Sequence, residues 1–140
     1  LREGKAAITT LARRLEEERE LFSPHAVKVV FSAGRRALYF SRSAIPFQRD
    51  VPPPQWSRQP LYYKHIGLYG FSLDALLAVT ALPPSSYEQA EALEQLRWLE
   101  AGWHIHLELT ERETPGIDTP EDLDRLRREG SWPGRGKDSH

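Results

Sequence analysis

The chain has 140 residues, 39% hydrophobic and 28% charged, with a formal net charge of −1, the make-up of a single domain or part of one with enough apolar material for a core. Lys and Arg are interspersed with Asp and Glu, so nothing favours a nucleic acid backbone or an anionic membrane as partner. Cysteine is absent, which excludes disulfides and thiolate metal sites and suits a reducing cytoplasm, and no apolar run approaches the ~20 residues of a membrane span.

In chain order, Ile8, Leu11 and Leu15 have helical spacing and lead into Glu16-Glu17-Glu18-Arg19-Glu20. A helix over residues 8–22 fits that spacing, whereas a short strand over residues 6–11 with a helical turn over 17–22 fits the same residues. Ser23-Pro24 ends the run. Val27-Lys28-Val29-Val30-Phe31, the turn Ser32-Ala33-Gly34-Arg35 and Ala37-Leu38-Tyr39-Phe40 read as a hairpin. Residues 41–62 read as a loop stiffened by Pro52-Pro53-Pro54, a run that would also suit a polyproline-binding partner.

Lys64-His65-Ile66-Gly67-Leu68-Tyr69-Gly70-Phe71 reads as a buried strand. Side chains alternate along a strand, so Ile66 and Leu68 point into a core while His65, Gly67 and Tyr69 share the other face. That face resembles the floor of a polar pocket, with an imidazole and a phenol on either side of a bare backbone. Ser72 caps a helix over 73–79, which Pro83-Pro84 ends. Ser85 and Ser86 open a further helix with Glu88 and Gln89 in capping-box positions. Ala92, Leu93, Leu96 and Leu99 form its stripe, and Gly102 stands just past its end. Residues 103–109 alternate like a strand. Thr119-Pro120-Glu121-Asp122 starts a last helix, and residues 131–140 form a polar tail. Alternating strands and helices predict an α/β sandwich whose sheet the hairpin makes mixed.

Three constellations are candidates for chemistry. Asp118 stands just outside a predicted helix N-terminus at the rim where open α/β sheets bind ligands, so it either holds Mg²⁺ or helps Thr119 cap the helix. Glu94 and Gln95 offer hydrogen bonds to a polyhydroxylated ligand, or are ordinary surface residues. His104 and His106 share a strand face, but no third zinc ligand is apparent. Neither a nucleophilic Ser-His-Asp pattern nor a Gly-rich phosphate loop occurs.

In order along the chain, Ala37-Leu38-Tyr39-Phe40-Ser41-Arg42-Ser43-Ala44-Ile45-Pro46, the octapeptide at 64–71, Leu93-Glu94-Gln95-Leu96-Arg97 and Gly116-Ile117-Asp118-Thr119-Pro120-Glu121-Asp122-Leu123 resemble the C-terminal half of the 3-deoxy-manno-octulosonate (Kdo) cytidylyltransferases, the CMP-Kdo synthetases. The resemblance runs over residues 8–127 and favours the strand reading of 8–11. It implies the C-terminal part of a Rossmann-like nucleotide-diphospho-sugar transferase fold, three-layered α/β/α with a hairpin insertion in a mixed sheet. Residues 1–130 would be part of one domain. The implied reaction is attack of the Kdo anomeric hydroxyl on the α-phosphorus of CTP, giving CMP-Kdo and pyrophosphate for lipopolysaccharide in the cytoplasm. The resemblance makes Asp118 the catalytic, Mg²⁺-binding carboxylate and places His65, Tyr69, Glu94 and Gln95 at the sugar. Arg42 is implied at the sugar's carboxylate, and a homodimer contact near residues 38–46.

The family's phosphate loop, cytosine-reading residues and second acidic metal ligand do not occur in these 140 residues. Together with the absence of methionine, that leads us to expect a fragment, inactive alone. A cytidylyltransferase for sialic acid or amino-Kdo, and a non-catalytic truncated paralogue retained for dimerisation or sugar binding, are the alternatives.

Overall fold

The computed structural model describes residues 7–111. Five strands form one mixed sheet: β1 (Ile8–Arg14), β2 (Lys28–Phe31), β3 (Ala37–Ser41), β4 (Tyr63–Phe71) and β5 (Ile105–Thr110), in the order β3-β2-β4-β1-β5. β1 lies between β4 and β5, antiparallel to β4 and parallel to β5, with Ile8 opposite Ile105. The strand reading of the N-terminal segment is therefore the correct one. Ile8-Thr9-Thr10 is a β-branched run that restricts side-chain rotamers in a helix and packs well on a pleated surface. Helix is confined to one turn, α1 (Glu18–Leu21).

The hairpin forms as expected, with Val30 opposite Tyr39. Its left-handed residue is Arg35, at φ 69°, and not Gly34. The turn is closed by the Arg35 N–H donating to the Ser32 carbonyl at 2.9 Å and the Arg36 N–H to the Ser32 hydroxyl at 3.1 Å. The segment after β3 is more ordered than a loop reading implies. Pro53–Arg58 forms a 3-10 helix, and Trp56 and Tyr62 are buried with Leu15 and Leu21 in a second small core. Trp56 donates to the Val51 carbonyl at 2.7 Å and Tyr62 to the Pro46 carbonyl at 2.6 Å, so both polar ends are satisfied.

β4 carries an irregularity that alternation alone does not show. Thr10 faces Tyr69 while the next residue, Leu11, faces Ile66, so Gly67 and Leu68 are extra residues on β4. An insertion of two preserves the alternation, which keeps His65 (opposite Ala12) and Tyr69 (opposite Thr10) on one face. Ile66 and Leu68 share the other face with Leu11, as expected, but both are only half-buried. The main core lies on the His65 and Tyr69 side, where Ile8, Ala12, Phe40, Leu96, Trp98 and Leu107 pack together. On its other edge β4 pairs with β2 only at Lys64, opposite Lys28.

Helix α2 (Leu73–Thr80) begins where Ser72 predicts, the Ala75 N–H donating to the Ser72 hydroxyl at 3.1 Å. The second expected helix is two: α3 (Ser86–Glu91) and α4 (Gln95–Glu100), separated at Ala92, which sits in the left-handed region at φ 57°. The break turns Leu93 and Leu96 into the core while α3 itself buries nothing. Glu88 and Arg97 bridge the two helices in a forked pair, at 2.8 Å to Nε and 2.5 Å to Nη2. Gly102 follows α4 at φ 96°, the left-handed position expected of it. Through α2 and α4 the described residues supply one of the two helical layers expected. No helix among them is long and apolar enough to cross a membrane.

Candidate functional site

β4 and α4 bring the predicted sugar-side residues together. His65 is 8% exposed, on the β4 face that the main core covers. Its ring lies edge-on to Phe40 at 4.8 Å and next to Tyr69 at 5.4 Å. Tyr69 in turn meets Trp98 of α4 at 5.0 Å, edge to face. Aromatic contacts on both sides fix the two polar groups without using their hydrogen-bonding atoms.

Burial alone pushes the His65 imidazole down to about 3, so the ring is neutral at physiological pH. Burial, and then the negative charge of Glu94, push the Tyr69 phenol far up, so Tyr69 is a neutral donor and Glu94 stands close enough to be felt. Glu94 is exposed at the N-terminal cap of α4, and Gln95 follows it, 6% exposed. No described residue hydrogen-bonds the Gln95 amide. The amide atoms are not among the fully buried groups that lack a partner, so the head group reaches solvent and is open to water or to a ligand. Beside Gly67 the space is open, with no atom within 4 Å of where a Cβ would stand.

Arg42 lies at the end of β3, where it engages backbone. Its Nε donates to the Glu91 carbonyl at 2.7 Å, Nη1 to that of Pro24 at 2.9 Å and Nη2 to that of Ala92 at 3.0 Å. Three of the five guanidinium N–H groups are thereby used, and two remain for a ligand. The Glu91 carboxylate answers by accepting from the Ser41 hydroxyl at 2.7 Å, the Arg42 N–H at 2.9 Å and the Tyr39 hydroxyl at 3.3 Å. This clamp holds the turn at Ala92, and so the start of α4, against the sheet.

Sequence reasoning missed Glu91 and also Thr10, whose hydroxyl lies 2.9 Å from His65 Nε2. The available signal was the Thr9-Thr10 pair between Ile8 and Leu11 in the buried part of β1, where a buried hydroxyl needs partners. Asp118 lies outside the described residues. His104 is exposed, 3.3 Å from Arg36 Nη1, and His106 is 3.3 Å from Glu108. Among the described residues no group of three His, Cys, Asp or Glu residues is placed to hold a metal ion, so they supply no metal centre on their own.

A mixed sheet of this order with helices packed on it belongs to a known class. A solved structure described as CMP:2-keto-3-deoxy-manno-octonic acid synthetase complexed with CTP superposes with a TM-score of 0.70 at 37% identity, over 91% of this chain and 50% of that one. That similarity places the fold among the nucleotidyltransferase α/β folds. A family model described as cytidylyltransferase matches residues 1–110, and the chain belongs to that family. It is 49% identical over 121 residues to a 3-deoxy-manno-octulosonate cytidylyltransferase of Porphyromonas gingivalis, which covers 84% of this chain and 48% of the relative. It is 57% identical over 98 residues to an enzyme of the same name from Phocaeicola vulgatus, covering 70% of this chain and 39% of the relative. The chain thus spans about half the length, or less, of the curated relatives it matches.

Proposed function

We propose that this chain is the sugar-binding part of a cytidylyltransferase that transfers CMP from CTP to Kdo, releasing pyrophosphate, for lipopolysaccharide biosynthesis in the cytoplasm. One observation carries the reading: His65 and Tyr69 of β4 lie side by side against Trp98 of α4, with Glu94 near enough to act on Tyr69 and Gln95 following it at the start of the same helix. A neutral imidazole, a neutral phenol and a free amide suit the hydroxyl groups of a sugar, and they are poor anchors for a multiply charged phosphate. The two remaining N–H groups of Arg42 suit the sugar's carboxylate, and a carboxyl-bearing, polyhydroxylated sugar matches the names of the relatives.

Asp118 is our proposed carboxylate for Mg²⁺, which would neutralise phosphate charge during the displacement. The described residues complete no metal site, so the chemistry assigned to them is binding and orientation of the sugar. No Gly-rich phosphate loop occurs among the 140 residues, and we expect no turnover of CTP by this stretch alone. The intact enzyme is proposed to be a homodimer.

The test has two parts. By isothermal titration the 140-residue chain binds Kdo, and His65→Ala weakens that binding at least about tenfold, the loss expected when a buried hydrogen-bonding anchor is removed. Joined to the remaining half of the Porphyromonas gingivalis relative, the chain yields a protein that forms CMP-Kdo, followed by pyrophosphate release. Preference of that chimera for sialic acid, or formation of CMP-Kdo by the 140-residue chain alone, would overturn the assignment.

A further inference from the structure

The hydroxyl of Thr10 is crowded with acceptors. Its Oγ1 lies 2.8 Å from the Leu68 carbonyl oxygen, 3.2 Å from that of Ile66 and 2.9 Å from His65 Nε2. The bulge at Gly67 and Leu68 accompanies this arrangement, in which two β4 carbonyls, those on either side of Gly67, turn toward one residue of β1. A hydroxyl has a single proton to donate, and a carbonyl oxygen has none. Two oxygens at 2.8 Å need a proton between them, so the Thr10 proton points to Leu68. The Thr10 lone pairs then face the imidazole, and the contact at 2.9 Å is a hydrogen bond only if His65 Nε2 carries the proton.

We infer that Thr10 is a positioning residue that holds His65 in the Nε2–H tautomer, so that Nδ1 meets the ligand as a hydrogen-bond acceptor. No described residue hydrogen-bonds Nδ1. A ring with that lone pair free takes a hydroxyl or N–H from the ligand and repels a carboxylate or phosphate oxygen, whose lone pairs would face its own. Burial keeps the second proton off and the selectivity in place. His65 therefore reads a sugar hydroxyl and rejects the anionic end of the same molecule, which orients an acidic sugar in the site. The ligand half of this inference rests on the sugar-binding reading above; the tautomer half does not.

Nitrogen-15 NMR of the His65 ring in the unliganded chain distinguishes a protonated from a bare ring nitrogen, independently of function. A protonated Nε2 with a bare Nδ1 is expected; the opposite pattern, or rapid averaging between the two, overturns the inference. Thr10→Val keeps the shape and removes the hydroxyl. It should let the ring average between tautomers and weaken Kdo binding about tenfold, the effect of one misdirected hydrogen bond. Thr10→Ser, which restores the hydroxyl on a smaller residue, should recover the tautomer and most of the affinity, and it remains informative if Thr10→Val does not fold. Unaltered ring state and affinity in Thr10→Val would overturn the role of Thr10. If the unmutated chain shows the expected tautomer but binds no Kdo, the functional reading falls and the tautomer assignment stands.

Discussion

At the scale of single residues, the site is an exercise in keeping polar groups uncharged. His65 and Tyr69 are held neutral by burial among aromatic rings, so their hydrogen-bonding does not change across the physiological pH range. That has a cost for the fold in acid. The unfolded imidazole titrates near 6.5 and the folded one near 3, so the unfolded state binds the extra proton across that window. Stability from this residue is complete above pH 6.5 and is lost as the pH falls toward 3. The expected slope is about 1.4 kcal/mol per pH unit inside the window. Urea titrations of the protein and of His65→Gln, which has nothing to titrate there, should diverge in slope below pH 6.5; parallel curves would show that the ring is not held neutral. Lys28 is buried too. Its ammonium donates to the Ser23 and Ala26 carbonyls at 2.8 and 2.5 Å, and burial lowers it to about 8.

At the scale of elements, the decisive event is the break between α3 and α4. An apolar stripe from Ala92 to Leu99 looks continuous, and periodicity cannot show a single left-handed residue. What makes Ala92 adopt φ 57° is non-local: Arg42 and Glu91 hold its neighbours to the end of β3, some fifty residues earlier in the chain. An L-residue other than Gly, Asn or Asp in that region is strained, so the clamp has to outweigh the strain. Glu91→Ala removes three hydrogen bonds and leaves the Ser41 and Tyr39 hydroxyls without that acceptor. We expect it to destabilise the protein by about 1–3 kcal/mol in urea unfolding, and to weaken Kdo binding because Glu94 and Gln95 open the helix that follows. A loss below about 0.5 kcal/mol, the range of an ordinary surface substitution, would show that the turn does not depend on the clamp.

The same comparison shows what the sequence could disclose. The strand at residues 64–71, the cap at Ser72, the left-handed Gly102 and the shared face of His65 and Tyr69 follow from local pattern and are present in the structure. Local pattern did not reveal the bulge at Gly67 and Leu68, the role of Thr10 or the clamp at Ala92. Each arises where two distant segments impose a geometry on one another, and neither segment carries the information by itself. Resemblance, not periodicity, resolved the choice between strand and helix at residue 8.

At the scale of the whole molecule, β4 is the strand with unfinished pairing. Along one edge it is joined to β1 on both sides of the bulge, whereas along the other β2 pairs with it only at Lys64, beside the hydrogen bond from the His65 N–H to the Val27 carbonyl. Along that second edge residues 66–71, which include the half-buried Ile66 and Leu68, have no strand beside them among the described residues. An edge of that kind is a template for pairing with another chain. We expect the 140-residue chain to self-associate at micromolar concentration, measured by analytical ultracentrifugation, and to become monodisperse when Leu68→Lys places a charge on the edge. A monomeric unmutated chain would show that the edge is covered.

The sheet order has a further consequence, and it concerns time. Among the described residues β1 is the first strand, yet its two neighbours are β4 and β5, the last two. Its pairing with β5 joins residues roughly a hundred positions apart, so a large loop must close before that contact contributes anything. During synthesis the hairpin of β2 and β3 can form within moments of emerging. Thr10 must wait for β4, and the strand that carries it is flanked on both sides only when nearly the whole sheet has been made. The face that carries Thr10, His65 and Tyr69 is therefore among the last surfaces to be assembled.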